Sequence, residues 1–162
     1  MPEIYTSLGS NQDREKNIQS AVREMRRRYG QLRLSTVYQN AAVGFDGDDF
    51  LNMVVGFDSD ETPASLQAQF REIEDMHGRT RDEKKFAPRP LDIDLILYGD
   101  QVSHEPGLEL PRSDILEYAF VLLPLTQLLP EGVHPGMSRR YEELWQEFKG
   151  NREMQPVELQ FD

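Results

Sequence analysis

Residues 91–98, Leu-Asp-Ile-Asp-Leu-Ile-Leu-Tyr, constrain this chain more than any other segment. A short run of alternating apolar and polar residues, preceded by Pro88 and Pro90, predicts a β-strand. Side chains two apart on a strand share a face. The pattern therefore predicts Leu91, Ile93, Leu95 and Leu97 on one side, with Asp92 and Asp94 on the other beside Ile96 and Tyr98. Alpha carbons two apart lie roughly 6.7 Å from each other. Two carboxylates about 6 Å apart repel by about 3 kcal/mol at an effective dielectric near 20, so the pair needs compensation.

Two readings of the pair stand on spacing alone. Hard oxygen ligands on a rigid strand suit magnesium, which takes one or two carboxylates and completes its shell with water and phosphate. Alternatively, the aspartates sit at a strand end and pair with nearby arginines. The preceding connection holds five cations, Arg79, Arg81, Lys84, Lys85 and Arg89, against the anions Asp82 and Glu83. Carboxylates beside guanidinium groups are the parts that phosphoryl transfer uses, and also the parts of a salt-bridge network.

The rest of the chain supplies a context for that strand. Residues 3–8 read as a first strand running into Gly9-Ser10-Asn11, a turn and helix-cap signal. Ile18, Val22, Met25 and Tyr29 mark one face of a helix over 13–29, ended by Gly30. Residues 32–38 read as a second strand, with Leu32, Leu34, Thr36 and Tyr38 on one side, and 50–57 as a third. Thr62-Pro63 opens a second helix whose stripe is Leu66, Phe70, Ile73 and His77. Strand, helix, strand, strand, helix, strand is the order of an α+β, ferredoxin-like βαββαβ plait. A helical extension follows: 113–129, broken at Pro124, and 138–148, with Tyr141, Leu144, Trp145 and Phe148 at helical spacing. One domain over 1–162 is expected.

Composition excludes several classes. With 29 acidic and 18 basic residues the net charge is −11, which opposes sequence-independent nucleic-acid binding. There is no cysteine, hence no disulfide, thiolate metal site or thiol nucleophile. No apolar run approaches the roughly 18 residues of a membrane span, and no secretory leader is visible, so a cytoplasmic protein is expected. Neither a Walker loop nor a dinucleotide fingerprint occurs. His77, His104 and His134 lack metal-ligand spacing.

Lys85-Phe86-Ala87-Pro88-Arg89-Pro90-Leu91-Asp92-Ile93-Asp94-Leu95-Ile96 resembles the signature of the 6-hydroxymethyl-7,8-dihydropterin pyrophosphokinase (HPPK) family. Ser7-Leu8-Gly9-Ser10-Asn11, Phe50-Leu51-Asn52, the Glu74 to Arg79 helix end and Ala119-Phe120-Val121-Leu122-x-Pro124-Leu125 are similar to further family segments, over about residues 4–129. The resemblance implies transfer of the ATP pyrophosphoryl group to a dihydropterin, with AMP released. It implies two magnesium ions on Asp92 and Asp94, with Arg79 and Arg89 catalytic beside them. It places ATP against Glu74, Arg79, Arg81, Lys85, Arg89, Leu95 and Arg112. The flat pterin would meet Asn40, Val43, Phe50, Asn52, Phe86 and Phe120, with Phe50 and Phe120 stacking on its two faces. Closing loops at about 44–49 and 80–87 would exclude water. A monomer with small-molecule partners, and no nucleic-acid or membrane partner, is implied.

The chain departs from the family pattern at Phe86 (usually Trp), Arg112 (usually His) and Tyr118 (usually Arg), and at Gly107 and Glu109, where basic and hydroxyl residues are usual. Most of these fall on the nucleotide side, where Arg112 can restore positive charge. Two alternatives to the enzyme are a pterin- or nucleotide-binding paralogue with little catalysis, and an interaction module whose Asp/Arg cluster is structural.

Overall fold

The computed structural model describes residues 1–43, 47–78 and 89–161. Its elements are β1 (Glu3–Ser10), α1 (Arg14–Tyr29), β2 (Arg33–Leu34), β3 (Val37–Asn40), β4 (Phe50–Asp58), α2 (Pro63–Met76) and β5 (Asp92–Tyr98). These are followed by β6 (Ser103–Glu105), β7 (Leu108–Leu110), α3 (Asp114–Glu117), α4 (Ala119–Leu128), β8 (Val133–His134), β9 (Arg139–Arg140), α5 (Tyr141–Glu147) and β10 (Gln155–Val157). The fold is mixed α+β around one antiparallel sheet. Its strands run β10-β3-β4-β1-β5, and β2 also pairs with β4. Among the described residues no helix is long and apolar enough to cross a membrane.

Alternation along the central strands builds two cores. Ile4 and Leu8 of β1, with Leu51, Met53, Val55 and Phe57 of β4, face α1 and α2. Those helices return Ile18, Val22 and Met25, and Leu66, Phe70 and Ile73, the stripes that their periodicity predicts. The α2 start is also as predicted: Thr62 Oγ1 accepts the Ser65 N–H at 3.1 Å, and Pro63 is the first helical residue. His77 is a satisfied histidine, with Nδ1 2.6 Å from the Ile73 carbonyl and Nε2 2.8 Å from Ser20 Oγ. On the opposite face Tyr5, Val54, Ile96 and Leu97 meet Ile115, Val121, Leu122, Leu125, Tyr141 and Leu144. Trp145 packs half-buried against that second cluster.

Four expectations are corrected. The single strand over 32–38 is two strands, because Leu34 pairs with Val55 while Tyr38 pairs with Asn52. Four residue steps on one chain therefore oppose three on the other, and the extra residue is a bulge at Ser35-Thr36. The bulge puts Val37 in the α1/α2 core with Leu34 and turns Tyr38 to the other face. A second irregularity, between Tyr5 and Thr6 on β1, lets Leu97 join Ile96 in the second core and turns Tyr98 back toward Ile93 and Leu95.

The third correction concerns the break in the 113–129 helix, which falls at Tyr118 and not at Pro124. Tyr118 is extended (φ −125°, ψ 124°), and its carbonyl then accepts the Val121 and Leu122 N–H groups that restart the helix. Pro124 sits inside α4, where the burial of Val121, Leu122 and Leu125 offsets its missing N–H. Finally, the tail is not helical throughout. Ser138 lies outside α5, Arg139–Arg140 form β9, and β10 joins the main sheet.

Ser35 repairs the ladder at the first bulge. Its N–H donates to the Val54 carbonyl at 3.0 Å, and its Oγ accepts the buried Val54 N–H at 2.9 Å. Replacing Ser35 with Ala leaves that N–H unpaired beneath α4. Urea unfolding of Ser35→Ala should show a loss of about 1–3 kcal/mol.

Candidate functional site

The site grows out of the register of β1, the strand between β4 and β5. Gly9 pairs with Asn52 on one side and Asp92 on the other, and Ser7 pairs with Val54 and Asp94. Residues paired across an antiparallel sheet point to the same face, so Asn52, Asp92 and Asp94 share one floor. Two strand spacings put the Asn52 and Asp92 backbones roughly 10 Å apart. Gly9 keeps the space between them open: a Cβ there would stand 2.7 Å from Asn52 Oδ1. Further along β4 the second core covers this face, but here the floor is polar.

Each acidic group on the floor has a cation beside it. Arg89 Nη1 donates to Asp92 Oδ1 at 3.3 Å. Arg112 Nη2 lies 3.9 Å from Asp94 Oδ1, and its buried Nε lies 3.3 Å from Asp114 Oδ1 without hydrogen-bond geometry. The backbone fixes both arginines. Arg112 N–H donates to the Ile96 carbonyl at 3.0 Å. Arg89 exchanges two bonds with buried Asn11: Asn11 N–H to the Arg89 carbonyl at 3.0 Å, and Arg89 N–H to Asn11 Oδ1 at 2.6 Å. Between the aspartates, Ile93 N–H donates at 2.8 Å to the carboxylate of Glu74, which is only 4% exposed. That carboxylate takes the place of a neighbouring strand on the outer edge of β5.

Burial pushes the Asp94 carboxyl up from 3.8 to about 6. Arg112 opposes this, while Asp92, Asp114 and Glu74 add to it. Among the described residues no group of three or more histidine or acidic side chains is placed to hold a metal ion. Two carboxylates on one face nonetheless fit magnesium, which takes few protein ligands and completes its shell with water and phosphate oxygens.

Two clefts flank the floor. One, of about 420 Å³, lies between α2 and β5 and is lined by Glu74, Asp94, Leu95, Arg112 and Gly107. It brings together four residues singled out from sequence for metal or ATP. The other, of about 360 Å³, is lined by Asn40, Val43 and Phe120, with Tyr118 stacked on Phe120 at 5.0 Å between ring centroids. Asn52 Nδ2 donates to Asn40 Oδ1, and Phe50 pairs with Asn40 across the strands. Arg79, Arg81, Lys85 and Phe86 lie outside the described residues, as do 44–46 and 80–87 of the expected loops. A further cleft, of about 840 Å³, is lined by none of the expected site residues. It lies at the start of α1, where Arg14 Nη1 donates to the Asp49 carbonyl at 2.9 Å just before Phe50.

Several members of this arrangement are not singled out by the sequence pattern. Asn11, part of a turn and helix-cap signal and of a family-like segment, brackets Arg89. Arg71 lines the cleft below Glu74, and its i,i+3 spacing from Glu74 on a helix was the available signal. Gln67 Nε2 donates to the Gly107 carbonyl at 3.0 Å and ties α2 to the β6–β7 turn, a contact that no local pattern announces.

The family model described as 7,8-dihydro-6-hydroxymethylpterin-pyrophosphokinase (HPPK) matches residues 5–130. The 2-amino-4-hydroxy-6-hydroxymethyldihydropteridine pyrophosphokinase of Aquifex aeolicus is 31% identical over 158 residues, 96% of each chain. The protein of the same name from Methylorubrum extorquens is 38% identical over 146 residues, 86% of this chain and 90% of that one. The crystal structure of Plasmodium falciparum HPPK-DHPS with pteroate has a TM-score of 0.73 at 12% identity, covering 91% of this chain. This chain spans 42% of that longer one, and the likeness is one of fold.

The raised Asp94 carboxyl sets a pH dependence of stability. With its folded value near 6 against 3.8, the folded chain holds the proton more tightly, so ionisation opposes folding as pH rises. Without added metal, Asp94→Asn should melt above the parent protein at about pH 7.5, the gap narrowing below about pH 6 and closing near pH 4. Thermal melts across that range check it.

Proposed function

The chain belongs to the 7,8-dihydro-6-hydroxymethylpterin-pyrophosphokinase family, and on that premise we propose that it transfers the pyrophosphoryl group of ATP to the hydroxymethyl oxygen of 6-hydroxymethyl-7,8-dihydropterin in folate synthesis. The hydroxymethyl oxygen bonds to the β-phosphorus and gives up its proton to solvent, the bond from that phosphorus to the α–β bridging oxygen breaks, and AMP leaves. The observation that supports this best is the shared floor, with Asn52 and the two aspartates on adjacent strands around Gly9.

Asp92 and Asp94 would hold two magnesium ions, which neutralise phosphate charge when bound. Arg89 and Arg112 contribute cations at the same place, and Arg79, Arg81 and Lys85 extend the positive field. Glu74 holds the β5 edge and Leu95 lines the nucleotide cleft. Asn52, oriented by Asn40, reads the polar edge of the pterin. Phe50 and Phe120 stack on its faces, while Val43 and Phe86 close around it. A site built this way works chiefly by positioning and charge stabilisation. Arg112 stands where the family pattern has histidine and keeps the positive charge beside Asp94. The strand order around β1 supports reading the fold as a ferredoxin-like plait extended by helices and by β10. We assign the chain to the cytoplasm as a single-domain monomer.

Asp94→Asn tests the reading. With magnesium, ATP and the dihydropterin, turnover should fall by about a thousandfold or more while circular dichroism stays that of the parent. Full activity in the variant would contradict the metal assignment.

A further inference from the structure

The chain after α5 lies beyond the matched residues 5–130, and it is anchored at both ends. At the near end Arg152 Nη2 donates to the Trp145 and Phe148 carbonyls at 2.6 and 2.7 Å, and its guanidinium lies 4.4 Å over the Trp145 ring. At the far end β10 pairs with β3, placing Gln155 opposite Gln39 and Val157 opposite Val37. Val157, Leu159 and Phe161 then pack against the α1/α2 core, and Gln19 Nε2 donates to the Gln160 carbonyl at 2.9 Å.

Between the anchors the chain has one place to go. Continuing the β10–β3 register one step beyond Gln155 and Gln39 sets Met154 alongside Asn40. Met154, Glu153 and Asn151 line the 360 Å³ cleft opposite Tyr118 and Phe120. Glu153 N–H donates to Asn151 Oδ1 at 2.8 Å, which shapes the turn entering it. Of the three, Met154 is the half-buried one; Asn151 and Glu153 are exposed. A thioether there is suited to the face or edge of a flat heteroaromatic. It also flanks Asn40, whose Oδ1 accepts from Asn52.

We infer that Met154, carried by this C-terminal strap, is a positioning residue of the pterin side of the site, packing on the bound heteroaromatic and holding Asn40 in line with Asn52. The inference rests on the reading of this cleft as the pterin pocket. It adds a wall that residues 5–130 do not supply.

The test measures dihydropterin affinity by fluorescence titration, and KM for both substrates, on the full chain. Loss of a sulfur–aromatic contact predicts about tenfold weaker pterin binding for Met154→Ala. The loss should appear in KM for the pterin while KM for ATP holds, and Met154→Leu, which restores the packing volume without the sulfur, should recover part of it. Phe120→Ala serves as the reference. Unchanged pterin affinity in Met154→Ala, with a clear loss in Phe120→Ala, overturns the strap's role and leaves the pocket standing. Unchanged affinity in both overturns the pterin reading of the cleft and this inference with it. A parallel rise in both KM values together with a lowered melting temperature would make Met154 a packing residue only, and also overturns it.

Discussion

Gly9 has hydrogen-bonded neighbours on both sides, Asn52 on β4 and Asp92 on β5, and no side chain of its own to stand between them. Everything polar on this face depends on that gap. The Asn52 amide occupies the space that a Cβ at residue 9 would take, and from there it reaches Asn40 at the end of β3. The register of the same strand brings Asp94 onto the floor one pair further along. A one-residue slip of β5 would turn both aspartates into the α1/α2 core. Glu74 guards against that slip by binding the Ile93 N–H between them.

The electrostatics follow from this placement. A rigid strand cannot move its aspartates apart, so the surrounding chain compensates with Arg89 and Arg112, each fixed through its backbone. Compensation is incomplete at Asp94, whose carboxyl stays raised to about 6 despite Arg112. Ionised Asp94 opposes folding, and a cation bound beside it would relieve that cost.

Local patterns in the sequence carried much of this. The helix stripes, the Thr62-Pro63 start and the common face of Asp92 and Asp94 depend only on neighbours a few residues away, and they were legible. The bulges at Ser35 and at the β1–β5 pairing were not, since each exists only as a mismatch in count between two strands. They decide where Tyr38, Leu97 and Tyr98 point, and those were the residues misplaced. The Tyr118 break was obscured by Pro124, the louder signal. Asn11 holds a partner 78 residues away, Met154 lines a cleft with residues more than 30 positions before it, and Arg71 lines one with Glu74, three residues on. Of these, only Arg71 lay within reach of periodicity.

On the proposed reading, the two clefts and the floor between them form one site in which a nucleotide's terminal pyrophosphoryl group meets a pterin hydroxymethyl. Nucleotide analysis of a reaction with magnesium, ATP and 6-hydroxymethyl-7,8-dihydropterin tests it most directly. AMP should form one for one with pterin consumed, with no ADP. ADP in step with pterin consumption, or no turnover from folded protein that binds the pterin, would contradict it.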